Sequence, residues 1–128
     1  MILAPVSPGD LVDRRTILDV KGTLLTDPAA RARAEFEAGM LRELEDRWVN
    51  RTPGVADLAL ELMEINFALW HAENDFRERD ASGDAERALA AARCARALNE
   101  RRAAVKRRIN TLVGSPLVED KQYAGSRP

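Results

Sequence analysis

The sequence Asp80-Ala81-Ser82-Gly83-Asp84 is a turn between two long runs of helix-forming residues. Before the turn, from about residue 55 to residue 79, apolar side chains recur every three or four positions, which predicts an amphipathic helix. After the turn, a second periodic run from about 84 to 113 ends at Gly114-Ser115-Pro116, a glycine cap followed by proline. A short turn between two long helices predicts an antiparallel helical hairpin.

The two predicted helices of this hairpin carry opposite charge. Seven acidic residues and two arginines lie between residues 55 and 80, whereas eight basic and three acidic residues lie between 84 and 113. A basic helix beside an acidic one neutralises its neighbour, and we favour this interpretation over nucleic-acid binding. The whole chain has a net charge of −1, so its bulk electrostatics indicates neither nucleic acid nor an anionic membrane as a partner.

Two further helices are predicted upstream of the hairpin. Ser7-Pro8-Gly9-Asp10 has the capping serine, first-turn proline and early acid that begin a helix, which we expect to run from about 8 to 25. Asp27-Pro28 begins a second helix, from about 28 to 50. One face of that helix carries four large apolar residues: Phe36, Met40, Leu44 and Trp48. The predicted fold class is all-α, an antiparallel bundle of about four helices in a single domain (1–128) with an irregular tail (114–128).

Several observations limit the class of protein. The N-terminus has no basic segment followed by an apolar run, and no stretch approaches the ~20 apolar residues of a membrane span, so a soluble, cytoplasmic protein with no membrane partner is expected. The lone Cys94 cannot form an internal disulfide. We predict no metal site and no cofactor, because His71 is the single histidine and the glycines lie in turns rather than in a phosphate-binding loop.

Charged residues on three of the predicted helices fall within or beside the apolar arcs. On the first helix, Asp10, Arg14 and Lys21 are predicted to point inward, and Glu73 is predicted near the middle of the apolar stripe of the third. A polar ridge runs beside the apolar arc of the fourth helix, through Asn99, Arg102, Lys106 and Asn110. We call these polar and charged residues of the first, third and fourth helices together the charged seam. Since a buried charge needs a partner, the seam either forms internal ion pairs, or lets long side chains reach water, or binds an anion. The candidate anion-binding residues are Arg14, Lys21, Glu73, Asn99, Arg102 and Lys106.

Short motifs spread over both ends of the chain also carry a family resemblance. They are the segments 6–14 (VSPGDLVDR), 16–21 (TILDVK), 69–77 (LWHAENDFR), 99–102 (NERR), 109–110 (IN), 114–115 (GS) and 119–123 (EDKQY). In these motifs the chain resembles a small bacterial family of uncharacterised all-helical proteins, a domain of unknown function, whose pattern leaves the second helix unmatched. The resemblance implies a soluble helical domain and supports the six candidate residues as a set, and it brings no established activity.

Two functions fit these patterns. The first is a non-enzymatic binding or assembly module that associates with itself or with a protein partner, with Trp48, Trp70 and Tyr123 as candidate anchors. It predicts internal ion pairs in the charged seam and an exposed apolar patch. The alternative is a small-molecule anion site between the helices, in a protein that either only binds the anion or acts on it by electrostatics alone, as helical chorismate mutases do. Because that comparison rests on fold and charge, whether the chain is an enzyme stays open.

Overall fold

A computed structural model of the chain describes residues 1–117; residues 118–128, which include the candidate anchor Tyr123 and most of the predicted tail, lie outside the described part. Residues 1–117 form four helices: α1 (Pro8–Leu24), α2 (Pro28–Trp48), α3 (Val55–Ala81) and α4 (Ala85–Val113). No strand occurs in residues 1–117. The predicted all-α class is therefore confirmed, and each helix begins and ends within two residues of its predicted bounds.

Local chemistry explains where the helices begin and end. The Ser7 hydroxyl and the carboxylates of Asp27 and Asp84 each accept a hydrogen bond from the backbone N–H three residues later, at 3.1–3.2 Å. These bonds satisfy backbone donors that a helix start leaves without a partner. At the end of α4, Gly114 adopts a left-handed conformation with φ +76°, which glycine accepts without steric cost.

The helices pack unequally. α3 and α4 form the predicted hairpin, and α1 lies against both of them. The apolar core between these three helices includes Val12, Leu62, Ile65, Val105 and Ile109, each at most 3% exposed. Among the helices of the described chain, α2 lies against α1 alone. The bundle is thus a three-helix core of α1, α3 and α4, with α2 attached to the outer side of α1.

The apolar residues of α2 are distributed in an unusual way. Small side chains face α1, since Ala34 and Ala38 are buried against Leu18 with Leu41 beside them. The large apolar face predicted for this helix points to solvent instead, and the exposed fractions of its members are 74% for Phe36, 37% for Met40, 42% for Leu44 and 69% for Trp48. We call these four residues the outer stripe.

The start of α1 is in close contact with α4. A Cβ atom at Gly9 would lie 2.4 Å from the carbonyl oxygen of Lys106 and 2.9 Å from Oδ1 of Asn110. Glycine at this position therefore allows the two helices to touch.

We predict that Gly9→Ala lowers the free energy of unfolding by about 1–3 kcal/mol, because the added methyl group overpacks this contact. The matched control is Gly39→Ala on α2, where a Cβ would have no neighbour within 4 Å. That change should raise the free energy by about 0.5–1 kcal/mol through helix propensity. Urea unfolding measures both values, and a Gly9→Ala protein as stable as the wild type would contradict the α1–α4 contact.

Candidate functional site

The carboxylate of Asp13 on α1 is buried between α3 and α4 and accepts hydrogen bonds from both helices. Arg102 of α4 donates from Nε to Oδ1 at 2.9 Å and from Nη2 to Oδ2 at 2.7 Å, a bidentate pair. Asn66 of α3 donates from Nδ2 to Oδ1 of Asp13 at 3.0 Å and to the Thr16 hydroxyl at 2.9 Å. The Thr16 hydroxyl in turn donates to the backbone oxygen of Asp13 at 2.7 Å. We call these four residues the Asp13 network, and it links all three core helices.

One helical turn further along α4, a second set of polar contacts joins α4 to the start of α1. The buried Lys106 ammonium lies 2.8 Å from Oδ1 of Asp10 and 4.0 Å from Oδ2 of Asp13. Burial acts to raise the pKa of Asp10, but the hydrogen bond and positive charge of Lys106 outweigh it, and the pKa lies below its ordinary value. Oδ1 of Asn110 accepts a hydrogen bond from the Gly9 backbone at 2.7 Å. The polar ridge predicted on the fourth helix is therefore the face that contacts α1.

A separate ion-pair chain joins α1 to α2. Arg15 of α1 donates from Nε to both carboxylate oxygens of Glu45, at 3.0 and 3.1 Å, and from Nη1 to Asp19 at 2.9 Å. Asp19 also pairs with Arg42 of α2. Glu45 is only 2% exposed, and this burial raises its pKa although the hydrogen bonds and charge of Arg15 act in the opposite direction. Alternating acids and bases thus supply much of the polar contact that attaches α2.

The structure divides the six candidate anion-binding residues into two groups. Arg102 and Lys106 take part in the internal contacts with α1, and Asn99 lies beside them, its Oδ1 accepting a long 3.4 Å bond from Nη1 of Arg102. The other three are exposed and contribute nothing to the buried networks: Arg14, Lys21 and Glu73. The six residues therefore do not form one buried seam.

The prediction that Arg14 and Lys21 point inward is wrong, and the reason lies in the neighbours of α1. Arg14 and Lys21 lie along one line on the surface of α1. The apolar residues on the two sides of this line face different helices, because Leu18 packs against α2 whereas Val12 packs against α3 and α4. The charged line between them faces solvent, and Arg14 reaches across it to Glu37 of α2, with 3.0 Å between Nε and Oε1. The prediction assumed that α1 has one buried face, which would include this line of charges. Because α1 has two separate buried faces, the strip between them is exposed.

Glu73 is exposed for a different reason: the tightly packed part of α3 ends at Leu69, one turn earlier. Beyond that point, a pocket of about 260 Å³ opens between α1, α3 and α4. Glu73, Lys21 and Arg77 line it together with Trp70, and Asn66 and Arg102 of the Asp13 network border it. A second pocket, of about 530 Å³, lies between α3 and α4 and is lined by Glu73, Asn99 and other residues.

Two buried carboxylates, Asp13 and Glu45, were missed by the sequence analysis, as was the pocket-lining role of Arg77. The sequence contained a signal for Asp13, because the polar ridge of α4 needs an acidic partner. Gly9, a small residue, lies four positions before Asp13, and Thr16, which carries a hydroxyl, lies three positions after it. Such small neighbours allow a second helix to approach a short carboxylate. For Glu45, the position among Ala34 and Ala38 on one helical face was the available signal.

We predict that Asp13→Asn lowers the free energy of unfolding by about 2–4 kcal/mol, since it leaves the Arg102 guanidinium without its charged partner. The neighbouring Arg14→Gln is the matched control, because its ion pair with Glu37 is largely exposed and should contribute less than about 1 kcal/mol. Thermal and urea unfolding report both effects. Equal stability of the two variants would show that the Asp13 network does not hold the core helices together.

Within residues 1–117, no group of three or more His, Cys, Asp or Glu side chains is arranged to hold a metal ion. Over the same span, none of the helices combines the length and the apolar character needed to cross a membrane. Comparisons with protein-family models, with curated proteins and with solved structures give no match to this chain.

Proposed function

We propose that this chain is a non-catalytic helical binding or assembly module of the cytoplasm, and that the outer stripe of α2 is its contact surface. The observation that carries this proposal is the distribution of apolar residues on α2. Phe36 and Trp48, the largest, are 74% and 69% exposed, whereas alanines form the buried contact with α1. A helix that needed only to complete its own fold would bury its large apolar side chains and expose the small ones.

The composition of the outer stripe supports a role in protein contact. Aromatic residues are enriched among the side chains that contribute most to protein–protein binding, and Trp48, one of the predicted anchors, is such a residue. Contiguous exposed apolar side chains on a soluble protein commonly mark an interaction site. The second predicted anchor, Trp70, is partly buried beside the pocket and so fits this role less well.

The buried charges are consistent with a structural rather than a catalytic role. Both carboxylate oxygens of Asp13 and both of Glu45 accept hydrogen bonds from protein donors. Buried ion pairs whose members satisfy one another hold helices in register, and they leave no reactive oxygen directed at an open cavity. The cytoplasmic assignment agrees with the exposed thiol of Cys94, since a chain with a single cysteine gains no stability from an oxidising compartment.

A double change on the stripe, Phe36→Gln with Trp48→Gln, tests this function. We expect the free energy of unfolding to change by less than about 1 kcal/mol, because these side chains are mostly exposed, and we expect binding of a fluorescent hydrophobic dye to fall. Ile65→Ala in the core is the control and should cost about 2–5 kcal/mol. If the double variant were as unstable as the control, or bound the dye as the wild type does, the stripe would not be a contact surface.

The pocket beside the Asp13 network favours a second candidate function, the binding of a small anion. Lys21 and Arg77 line this pocket and make no ion pair within the described residues, and Trp70 provides an aromatic wall. Two bases against the single Glu73 leave a local positive charge that a carboxylate or phosphate would neutralise. Electrostatic catalysis would require such an anion to be bound first.

Thermal unfolding against a panel of phosphorylated sugars, nucleotides and dicarboxylates, chorismate included, tests the second candidate. A ligand at 100 times its dissociation constant should stabilise the protein by about 2.7 kcal/mol, and the combined change Lys21→Ala and Arg77→Ala should abolish that shift. Arg93→Ala, an exposed base that does not line the pocket, is the control and should retain it. No shift with any compound, or an equal loss in the control, would refute an anion site here.

A further inference from the structure

We propose that the partner of the outer stripe is a second copy of this chain, with the two α2 helices packed antiparallel about a two-fold axis. This inference rests on the proposed contact surface and adds the identity and orientation of the partner. It concerns only the outer face of α2, which no other helix of the described chain covers.

The order of residues along the stripe is self-complementary. An aromatic residue stands at each end and an aliphatic one at each inner position, and successive members are four positions apart. When two such helices run antiparallel, Phe36 of each copy lies opposite Trp48 of the other, and Met40 lies opposite Leu44. A two-fold interface requires this reciprocity, because each residue must meet its complement on the same surface of the other copy.

The fold leaves room for this arrangement. α2 lies on the outer side of α1, so pairing through the stripe adds a second α2 helix without disturbing the core of α1, α3 and α4. Each buried aromatic side chain contributes roughly 150–250 Å², so an interface built on this stripe belongs to the small size class. We therefore expect a dimer that dissociates on dilution.

The charges beside the stripe respond differently to this register. The two-fold axis of this register passes midway between Met40 and Leu44. At about 1.5 Å per residue, the two Glu37 residues of the dimer are then about 15 Å apart along the helices, and so are the two Arg47 residues. That separation exceeds the Debye length of about 10 Å at moderate salt, so these like charges do not oppose pairing. Glu43 differs, because it lies one residue from the axis and faces Glu43 of the other copy. Its neutralisation should therefore strengthen the dimer.

Sedimentation equilibrium of the full chain over a range of concentrations tests the inference. We expect a monomer–dimer equilibrium that Leu44→Lys weakens by at least about tenfold, because the symmetry introduces two charges into the interface. Met40→Lys provides a second variant with the same expected effect. The matched control is Leu60→Lys, a 65% exposed leucine on α3, which should leave the equilibrium unchanged. Circular dichroism establishes that each variant is folded.

The outcomes separate this inference from the proposed function. A wild-type chain that stays monomeric at about 1 mM, where even a 4 kcal/mol association would populate dimers, overturns self-association and leaves the stripe as a surface for a different protein. A dimer that survives Leu44→Lys but is lost in Leu60→Lys overturns both the inference and the proposed contact surface. A dimer lost in Leu44→Lys and Met40→Lys alone supports them together.

A pair of charge-neutralising changes tests the antiparallel register itself. Glu43→Gln should tighten the dimer by about twofold, the size expected for relief of one exposed like-charge contact, and added salt should reduce the difference. Glu37→Gln, six residues earlier on α2, should leave the affinity unchanged. Tightening by Glu37→Gln, or no response to Glu43→Gln, would overturn the register with its axis between Met40 and Leu44.

Discussion

The fold depends on one buried carboxylate, that of Asp13. A charge out of water is unfavourable by several kcal/mol unless donors surround it, so the fold has to bring Arg102 and Asn66 to the same point. Those donors come from α4 and α3, and their hydrogen bonds determine how α1 is rotated about its own axis. With α1 in that rotation, Val12 enters the apolar core and Leu18 lies on a different side of the helix, toward α2. A polar contact thus decides which apolar surfaces meet.

The rotation of α1 explains the other surfaces as well. With one face on α3 and α4 and another on α2, α1 separates α2 from the core, so α2 has a single helical neighbour among residues 1–117. No other helix of the described part of the chain covers its second side, and the large apolar residues lie there. The exposed strip between the two buried faces of α1 contains the charged residues Arg14 and Lys21. Lys21 also borders the pocket beside Trp70. The apolar stripe and the basic pocket are therefore two consequences of the same packing.

Local signals predicted the helices well, because caps and periodicity depend only on residues close together in the chain, as at Ser7, Asp27 and Gly114. The faces that become buried depend on neighbours distant in sequence, and this is where prediction failed. Apolar residues four positions apart indicate an apolar face, but the pattern is the same whether the face meets the core or a partner, as Phe36 and Trp48 show. Asp13 was missed for the same reason, since its donors lie 53 and 89 residues away.

The single-sided attachment of α2 has a consequence for motion. Its contact with α1 consists of a small apolar cluster around Leu18 and of ion pairs through Asp19 and the buried Glu45. None of these contacts includes the Asp13 network, so α2 is the segment that can open locally while that network stays closed. Val49, just after α2, is 1% exposed and packs in the main core, so it holds the C-terminal end of α2 in place. We therefore expect opening to begin at the other end, near Asp27. Any molecule bound along Phe36 to Trp48 would oppose that opening, so occupancy of the surface and rigidity of the helix are thermodynamically coupled.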